Sequence, residues 1–301
     1  MKMNYLKLGF AIALTSIIVT GCDDAKTEEA KPNNTTTEEP FMAGTSATMR
    51  VAVLEDFTGV RCGYCPDGHV RAAAAQQELG ADKFIIMAVH AGIYANPATG
   101  WANFTTPFGA AIDGQAGVSG YPAGTINRMK AADLGVTPMK TGGMAMSRGA
   151  WKTAAQAVIA MPSPVNLGAK AEFNSSTREL TVKVDAYYTA EESVQNNINV
   201  ALLQSKLMSR QSGDPTSGDP YEQNHVLRHL ITGQWGEAIT EAKTVGAKVR
   251  KTYTYTVPED YNGTTTEGGG AVLIENCKVV VFVSRDKTDI LTAVEIPITV
   301  K

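Results

Sequence analysis

Two cysteines, Cys62 and Cys65, are separated by only two residues, a spacing suited to thiol–disulfide chemistry. With Gly and Tyr between them, the second sulfur can fold back to within disulfide distance of the first. A stretch rich in Ala, Gln and Glu begins at this pair and predicts a helix. A helix amino terminus carries unpaired N–H groups and about half a positive charge, which stabilise a thiolate. We therefore predict Cys62 as the exposed nucleophile and Cys65 as the resolving thiol, with Arg61 adding positive potential.

The same residues allow two other interpretations. The pair could be a permanent structural disulfide, because such bonds persist outside the cytoplasm. Alternatively, Cys62, Cys65 and His69 could bind zinc at one end of the helix, although no fourth ligand is evident. No cofactor is expected for the redox interpretation, because the disulfide between Cys62 and Cys65 is itself the redox group.

Strand and helix patterns alternate around the thiol pair. Residues 49–54 and 83–90 are short apolar runs that predict strands, and the helix between them is expected to end at Gly80. A turn around Pro122 leads into another strand, and Ser147 can cap a final helix. A strand, a helix and a strand, with the thiol pair at the helix start, form the context in which C-x-x-C indicates a thioredoxin-like domain.

The segment also resembles the thioredoxin superfamily in its Asp56-Phe57 pair. This pair precedes Cys62 by the six residues at which thioredoxins carry a buried Asp-Phe. The resemblance implies that Asp56 takes a proton from Cys65. It further implies that Pro122 is a cis-proline that faces the disulfide and offers its backbone to an extended substrate.

Tyr64 and Tyr121 are the predicted substrate-binding residues beside this site. The chain departs from the thioredoxin pattern in three ways: it lacks a Trp before the first Cys, it has Gly-Tyr between the two, and it carries a long insertion at 91–118. Simpler roles remain open at two positions. Asp56 could cap the helix, and Pro122 could be trans, since only about 5–6% of X–Pro bonds are cis.

The amino terminus has the pattern of a lipoprotein signal peptide. Residues 1–21 contain a basic start and a 12-residue apolar stretch, which is too short to span a bilayer. Val19-Thr20-Gly21-Cys22 resembles the bacterial lipobox, in which the cysteine thiol receives diacylglycerol. We therefore predict that residues 1–21 are removed and that Cys22 is lipidated. The alternative is an ordinary secretory signal followed by a coincidental cysteine.

Residues 22–44 are predicted to form a disordered acidic tether. Between 23 and 40 there are six acidic side chains, two basic ones and no large apolar residue. Such a segment cannot bury enough surface to offset the entropy of ordering it. The whole chain has 27 Lys+Arg against 30 Asp+Glu, a net charge of -3. This composition gives no electrostatic footprint for nucleic acid, so no nucleic-acid partner is expected.

The remaining chain divides at Met161-Pro162-Ser163-Pro164. Before this run strand and helix patterns alternate, and after it almost all patterns are those of strands separated by turns. We therefore predict an α/β thioredoxin-like domain over 45–162, followed by an all-β immunoglobulin-like sandwich over 163–301. In the second part His225 and His229, four residues apart, could ligate a metal on a helix, but they are predicted to have surface or packing roles, since no carboxylate or Cys is placed to complete a site. Cys277 lies in an apolar strand and is predicted to be an inert buried thiol.

The arrangement as a whole is similar to the family named for a twenty-eight-kilodalton outer-membrane protein. The matching motifs are E-D-F-T-G followed by C-x-x-C-P, Y-P-A-G-T-I-N-R, N-H-V-L-R and E-N-C-K-V-V-V-F-V. They extend over most of residues 50–300. The resemblance implies an outer membrane lipoprotein of the cell envelope, facing the periplasm or the surface. It also implies a thioredoxin-like domain followed by a β-sandwich, and it leaves the chemistry to be argued from the residues.

Two functions from different classes fit these features. The first is thiol–disulfide exchange with extended or unfolded envelope proteins by a protein held to the membrane through its lipid anchor. The alternative is a non-enzymatic binding or adhesion lipoprotein in which a locked disulfide staples the fold and the sandwich binds another surface protein. An exposed Cys62 favours the first function, whereas a buried pair favours the second.

Overall fold

The computed structural model describes residues 39–214, 221–262 and 270–301. The predicted signal peptide, the lipidation site Cys22 and most of the predicted tether lie outside these described residues. Residues 41–301 form one compact unit. Within the described ranges no helix has the length and apolar character needed to cross a membrane.

The described residues are mostly β-sheet with few helices. The sequence predicted alternating helices and strands followed by strands. This order is confirmed, because the three described α-helices all precede the strands of the second half. The elements are β1 (Ala52–Thr58), α1 (Cys65–Leu79), β2 (Phe84–His90), α2 (Gly109–Ala116), β3 (Ala123–Ile126), β4 (Met146–Ser147), α3 (Trp151–Ile159), β5 (Val165–Asn174), β6 (Glu179–Tyr188), β7 (Asn196–Gln204), β8 (Leu207–Ser209), β9 (Tyr221–Gln223), β10 (Val226–Leu230), β11 (Glu237–Ala238), β12 (Lys248–Thr256), β13 (Cys277–Arg285) and β14 (Thr288–Val300), with 3₁₀ turns at Ala131–Leu134 and Ile274–Asn276.

The boundaries of α1 agree with the sequence, whereas the predicted cap of α3 is wrong. Helix α1 begins at Cys65 with a proline in its first turn, where the missing N–H would have no helical partner anyway. Gly80 follows its last residue with a φ of 96°, which glycine adopts readily. Helix α3 begins at Trp151 after Ala150, because Ser147 is taken up by β4.

A mixed sheet connects the two halves of the chain. Its strand order is β12-β6-β5-β14-β13-β7-β10-β2-β1-β3-β4, with β11 on β7, and β8 pairs separately with β9. The pairs β1/β2, β10/β2 and β14/β5 are parallel, and the other pairs are antiparallel. Val226 of β10 pairs with Ala88 of β2, so the sheet crosses the predicted boundary at 162. Independent folding of 45–162 and 163–301 stays a prediction.

Strand β1 is buried on both faces, and its alternation assigns its side chains to two different surroundings. Ala52 and Leu54 pack with α1 and α3 in one core cluster. Val53 and Phe57 pack with α2 and with strands of the second half in another. Successive side chains of a strand point to opposite faces. Asp56 therefore lies on the α1 face, and its neighbour Glu55 on the opposite face.

A third core cluster holds the second half together. It contains buried apolar residues of β5, β6 and β12 on one side and of β7, β13 and β14 on the other. Because β14 is 13 residues long, it pairs with β13 and then, through its last residues, with β5. Cys277 is buried there and donates to the Leu273 carbonyl. Burial raises the pKa of this thiol to about 12, which agrees with the predicted inert role.

The predicted tether ends earlier than residue 44. Met42 donates its backbone N–H to Asp185 at 2.7 Å, and Ala43 is buried. Phe41 lies beneath the cationic groups of Lys248 and Arg250. Residues 41–44 are thus part of the folded unit, because the apolar residues that the acidic run lacks resume at Phe41.

Candidate functional site

Cys62 and Cys65 form a disulfide at the amino terminus of α1. Their Cα atoms are 5.4 Å apart. Tyr64 is the N-cap residue of the helix, and the Cys65 N–H donates to the Cys62 carbonyl at 3.3 Å. The predicted placement of the thiol pair at a helix start is therefore confirmed, and this position favours a thiolate once the bond is reduced.

Both cysteines are buried, which corrects the prediction of an exposed Cys62. Cys62 is 2% exposed and Cys65 0%. Residues 209–214, here called the cover segment, lie against the turn that carries the disulfide. Gln211 donates to the carbonyls of Gly59 at 3.2 Å and Cys62 at 3.0 Å. The sequence placed Cys62 at a surface because nothing in a polar stretch about 150 residues away indicates that it returns to this turn.

Two further contacts fix the cover segment. The Ser212 N–H donates to the Val60 carbonyl at 2.8 Å. Gly213 packs so closely on Gly63 that an added Cβ would lie 1.9 Å from the Gly63 carbonyl oxygen. Only glycine permits this approach, and its φ of 76° also favours glycine. We infer that this segment restricts access to the sulfur of Cys62, which is 2% exposed.

We expect Gln211→Ala to speed reduction of the disulfide by dithiothreitol. The substitution removes both hydrogen bonds from Gln211 to the disulfide turn, and with them the acceptor of the Gln223 side chain. Since each bond contributes about 0.5–1.5 kcal/mol, a roughly tenfold increase in rate is expected. The matched control is Gln195→Ala, because Gln195 also donates to two backbone carbonyls but does so away from the disulfide. Equal reduction rates for Gln211→Ala and wild type would show that the cover does not limit access.

Asp56 is a buried acid on the α1 face of β1. It is 1% exposed, and its Oδ1 has no hydrogen-bond partner among the described residues. Burial raises the pKa of this carboxyl from 3.8 to about 8. Asp56 does not cap α1, whose N-cap is Tyr64. At neutral pH it is therefore mostly protonated, and it can both donate and accept a proton close to pH 8.

His69 is the residue of the thiol helix whose ring lies beside Asp56. It follows Cys65 by four residues and so lies on the same face of α1. Its Nε2 is 3.8 Å from Asp56 Oδ2 and 3.0 Å from Thr58 Oγ1, and its Nδ1 is 2.7 Å from the Tyr221 hydroxyl. Burial lowers the pKa of His69 to about 4, so the ring is neutral at pH 7. Its partners here are thus different from those of the zinc interpretation.

A cavity of about 240 Å³ adjoins these groups. Asp56, His69 and Tyr221 contribute to its wall, and helix α1 and strand β2 supply small and apolar side chains. Sequence reasoning missed both Tyr221 and the cavity. Tyr221 follows a polar stretch of sequence, and only the chain's return to α1 brings it to His69.

The predicted substrate-binding side has an aromatic surface. Tyr64, which lies between the two cysteines, is 71% exposed. Ile93 and Tyr94, near the start of the insertion at 91–118, are also exposed. The Arg61 N–H donates to the Tyr94 carbonyl, which holds the insertion against the disulfide turn. The Tyr94 ring contacts Tyr121 edge to face, with centroids 5.8 Å apart. This surface suits apolar side chains of an extended chain.

Pro122 adopts the conformation that the resemblance implies. The Tyr121–Pro122 peptide bond is cis. The proline ring packs against Gly68, where an added Cβ would lie 3.0 Å from Pro122 Cγ. Since Gly68 lies three residues beyond Cys65, this contact places Pro122 beside the first turn of the thiol helix. Tyr121 is positioned by donating its hydroxyl to Asp113 at 2.6 Å.

A buried ion pair behind the site was also missed from the sequence. Arg128 donates to Glu55 Oε1 from Nε at 2.9 Å and from Nη2 at 2.7 Å. Thr125 donates to the other carboxylate oxygen. Both charged residues belong to motifs quoted above, E-D-F-T-G and Y-P-A-G-T-I-N-R. Two opposite charges within otherwise apolar strand patterns could have indicated a buried ion pair.

His225 and His229 do not lie on a helix, and both pack against neighbouring residues. His229 lies on strand β10 and stacks on Tyr255, with ring centroids 4.2 Å apart. His225 precedes β10 and lines the cavity beside His69. In the parts of the chain that the structure describes, no three His, Cys, Asp or Glu side chains are grouped to hold a metal ion.

Comparisons with known proteins bear on family and fold. The family described as outer membrane protein Omp28 matches residues 110–297. HBP35 of Porphyromonas gingivalis has a similar fold, with a TM-score of 0.65 and 18% identity over 83% of this chain and 76% of that one. A domain of the outer membrane lipoprotein Omp28 from the same organism is 23% identical and covers 46% of this chain and 99% of that one, with a TM-score of 0.32. A protein of Agrobacterium tumefaciens is 11% identical over 84% of this chain and 96% of that one, with a TM-score of 0.49. No curated protein sequence matches the chain.

Proposed function

The chain belongs to the Omp28 outer membrane protein family and is an outer membrane lipoprotein of the cell envelope, and we propose that it exchanges disulfides with extended or unfolded envelope proteins through Cys62 and Cys65. The observation that carries this proposal is the burial of the Asp56 carboxyl on the face of β1 that packs against the thiol helix. A buried carboxyl without a full set of partners destabilises a fold. At this position, however, Asp56 can serve as the proton donor and acceptor for Cys65.

The exchange needs no further redox group. A substrate thiolate attacks Cys62 Sγ, the Cys62–Cys65 bond breaks, and the Cys65 sulfur leaves with the electron pair and takes the proton of Asp56. A second substrate thiolate then attacks the substrate sulfur of the mixed disulfide and releases Cys62 as a thiolate. The substrate has lost two electrons, and the protein has gained them. The reverse sequence reduces a substrate disulfide and re-forms the Cys62–Cys65 bond. A second disulfide compound can therefore reoxidise the protein after it has oxidised a substrate.

A thioredoxin-like arrangement of the first half supports this chemistry. Helix α1 connects the parallel strands β1 and β2, and β3 lies antiparallel on the other edge of β1. Together with the cis Pro122, this order fits a thioredoxin-like unit. The core between the strands of the second half fits an immunoglobulin-like sandwich. We further propose that acyl chains on Cys22 hold the protein to the membrane.

Cys65→Ser is expected to trap a mixed disulfide between Cys62 and a substrate protein. Attack by Cys62 can still occur, but no second thiol is present to resolve the adduct. The adduct would be isolated from the cell envelope and identified after reduction. Cys62→Ser is the matched control, because it removes the same disulfide and retains the buried thiol. Equal yields from the two variants, or no adduct from either, would contradict the proposed roles.

The burial of both cysteines favours one alternative, a non-enzymatic binding lipoprotein with a structural disulfide. The reduction potential separates the two functions. A potential below about -300 mV marks a structural bond, whereas a value between roughly -120 and -270 mV marks a bond that exchanges. The potential would be measured by equilibration with dithiothreitol, for wild type and for Gln211→Ala, so that restricted access is not mistaken for a stable bond.

A further inference from the structure

We propose that His69 and Tyr221 form the route by which Asp56 exchanges its proton with solvent, which makes His69 a positioning residue for the resolving step. This inference rests on the proposed function and deepens it. It begins from the position of Asp56 and from the contacts of one imidazole ring.

Asp56 offers very little surface for direct proton exchange with solvent. It contributes to the wall of the cavity, but it is only 1% exposed, and its Oδ1 has no hydrogen-bond partner among the described residues. Oxidation of the reduced protein requires the Cys65 proton to leave. If Asp56 is to accept that proton, it must first lose its own. A proton path out of the buried site therefore has to exist on this face of β1.

The His69 ring is placed to provide that path. One nitrogen faces Asp56 Oδ2 at 3.8 Å, and the other is hydrogen-bonded to the Tyr221 hydroxyl at 2.7 Å. The longer distance exceeds a hydrogen bond, so the transfer requires the ring to turn from Thr58 towards Asp56. Proton transfer then occurs by one nitrogen gaining a proton as the other loses one, and the neutral ring never becomes a stable cation.

The electrical surroundings favour such a neutral carrier. The titratable and charged groups on the elements around His69 are Asp56 on β1, His90 on β2, Tyr221 and Glu222 on β9, His225 and Arg228 after it, and Asp214 in the cover segment. Burial lowers the pKa of His69 to about 4 and raises that of Tyr221 to about 12. Both groups are therefore uncharged at neutral pH, and a proton can pass without leaving a stable charge behind.

The experiment follows closure of the disulfide in the reduced full-length protein. Excess oxidised glutathione first forms a mixed disulfide with Cys62, and Cys65 then attacks Cys62 Sγ and releases reduced glutathione. Acid-quenched samples, analysed by mass, give the rates of the two steps separately. For His69→Ala at pH 7 we expect the first step to be unchanged. Closure should slow roughly 100-fold, the lower end of the range for general acid–base catalysis.

Rescue distinguishes proton transfer from packing. Imidazole added to His69→Ala should restore closure in proportion to its concentration. Pyrazole has the same ring size, but its two nitrogens are adjacent and cannot face Asp56 and Tyr221 at once, so it should not restore closure. Tyr221→Phe should also slow closure, while Val70→Ala is the control, because Val70 lines the same cavity without contributing a polar group.

Two outcomes would overturn this inference alone, and a third would overturn it together with the proposed function. Unchanged closure in His69→Ala shows that Asp56 uses another path. Equal rescue by pyrazole and imidazole shows that the ring only fills space. If neither the wild type nor Gln211→Ala forms a mixed disulfide with glutathione, the proposed exchange function is itself wrong.

Discussion

Asp56→Asn is expected to stabilise the folded protein strongly at pH 9 and only slightly at pH 4. The pKa of Asp56 is raised by burial from 3.8 to about 8. Between these values the unfolded chain has lost this proton, and the folded protein has retained it. The folded state binds more protons, so the stability of the wild type falls as pH rises through this interval. With 1.36 kcal/mol for each unit of pKa, the loss at pH 9 is on the order of 5 kcal/mol.

Asparagine is neutral at both pH values and lacks this loss. Urea unfolding at pH 4, 7 and 9 gives the free energy of unfolding for wild type and variant. Asp82→Asn is the control, because it makes the same substitution at an exposed carboxyl. A pH dependence in Asp56→Asn as steep as that of the wild type would show that another group carries it.

The same variant connects stability with the proposed exchange. Asp56→Asn should slow the closure step in the glutathione experiment while leaving the first attack intact, because asparagine cannot accept the Cys65 proton. A more stable but slower protein is the expected result when a strained buried group is retained for function. A variant that is more stable and closes at the wild-type rate would favour the structural role of the disulfide.

Local patterns were sufficient to predict the thiol helix and its acid. The Cys spacing, the proline in the first turn and Gly80 together set the ends of α1, and all three act within a few residues. Asp56 was identified by its distance in sequence to Cys62, through the resemblance to thioredoxins. Its face was not predicted, because the predicted strand at 49–54 ends before it, whereas β1 extends over Ala52–Thr58. The ends of the helix and the spacing of the acid depend on short-range geometry, which a sequence displays directly.

The parts that could not be predicted depend on contacts between distant residues. Gln211 is 149 residues from Cys62, and Tyr221 is 152 residues from His69. Neither lies in a periodic pattern, because the cover segment is bound through backbone carbonyls and one close approach of glycines. The exposed nucleophile was therefore predicted wrongly, although the helix that carries it was predicted correctly. The sheet shared by β2 and β10 was missed for the same reason.

Arg128→Leu is expected to destabilise the protein by about 3–5 kcal/mol, because it leaves a buried carboxylate without its cation. Glu55 and Arg128 each have 1% exposed side chains and share two hydrogen bonds. The Arg128 guanidinium also lies over the rings of Trp235 at 5.7 Å and Phe282 at 5.2 Å. The free energy of unfolding in urea measures the loss.

Two companion variants identify its cause. Arg148→Leu makes the same substitution in a partly exposed ion pair with Asp67, and it should cost far less, because water solvates the remaining carboxylate. Glu55→Gln combined with Arg128→Leu should recover part of the loss by removing the buried charge. Similar losses for Arg128→Leu and Arg148→Leu would contradict the burial of the pair. Because Glu55 directly precedes Asp56, the ion pair fixes the strand that carries the buried acid, and its guanidinium in turn contacts the two aromatic rings of the second half.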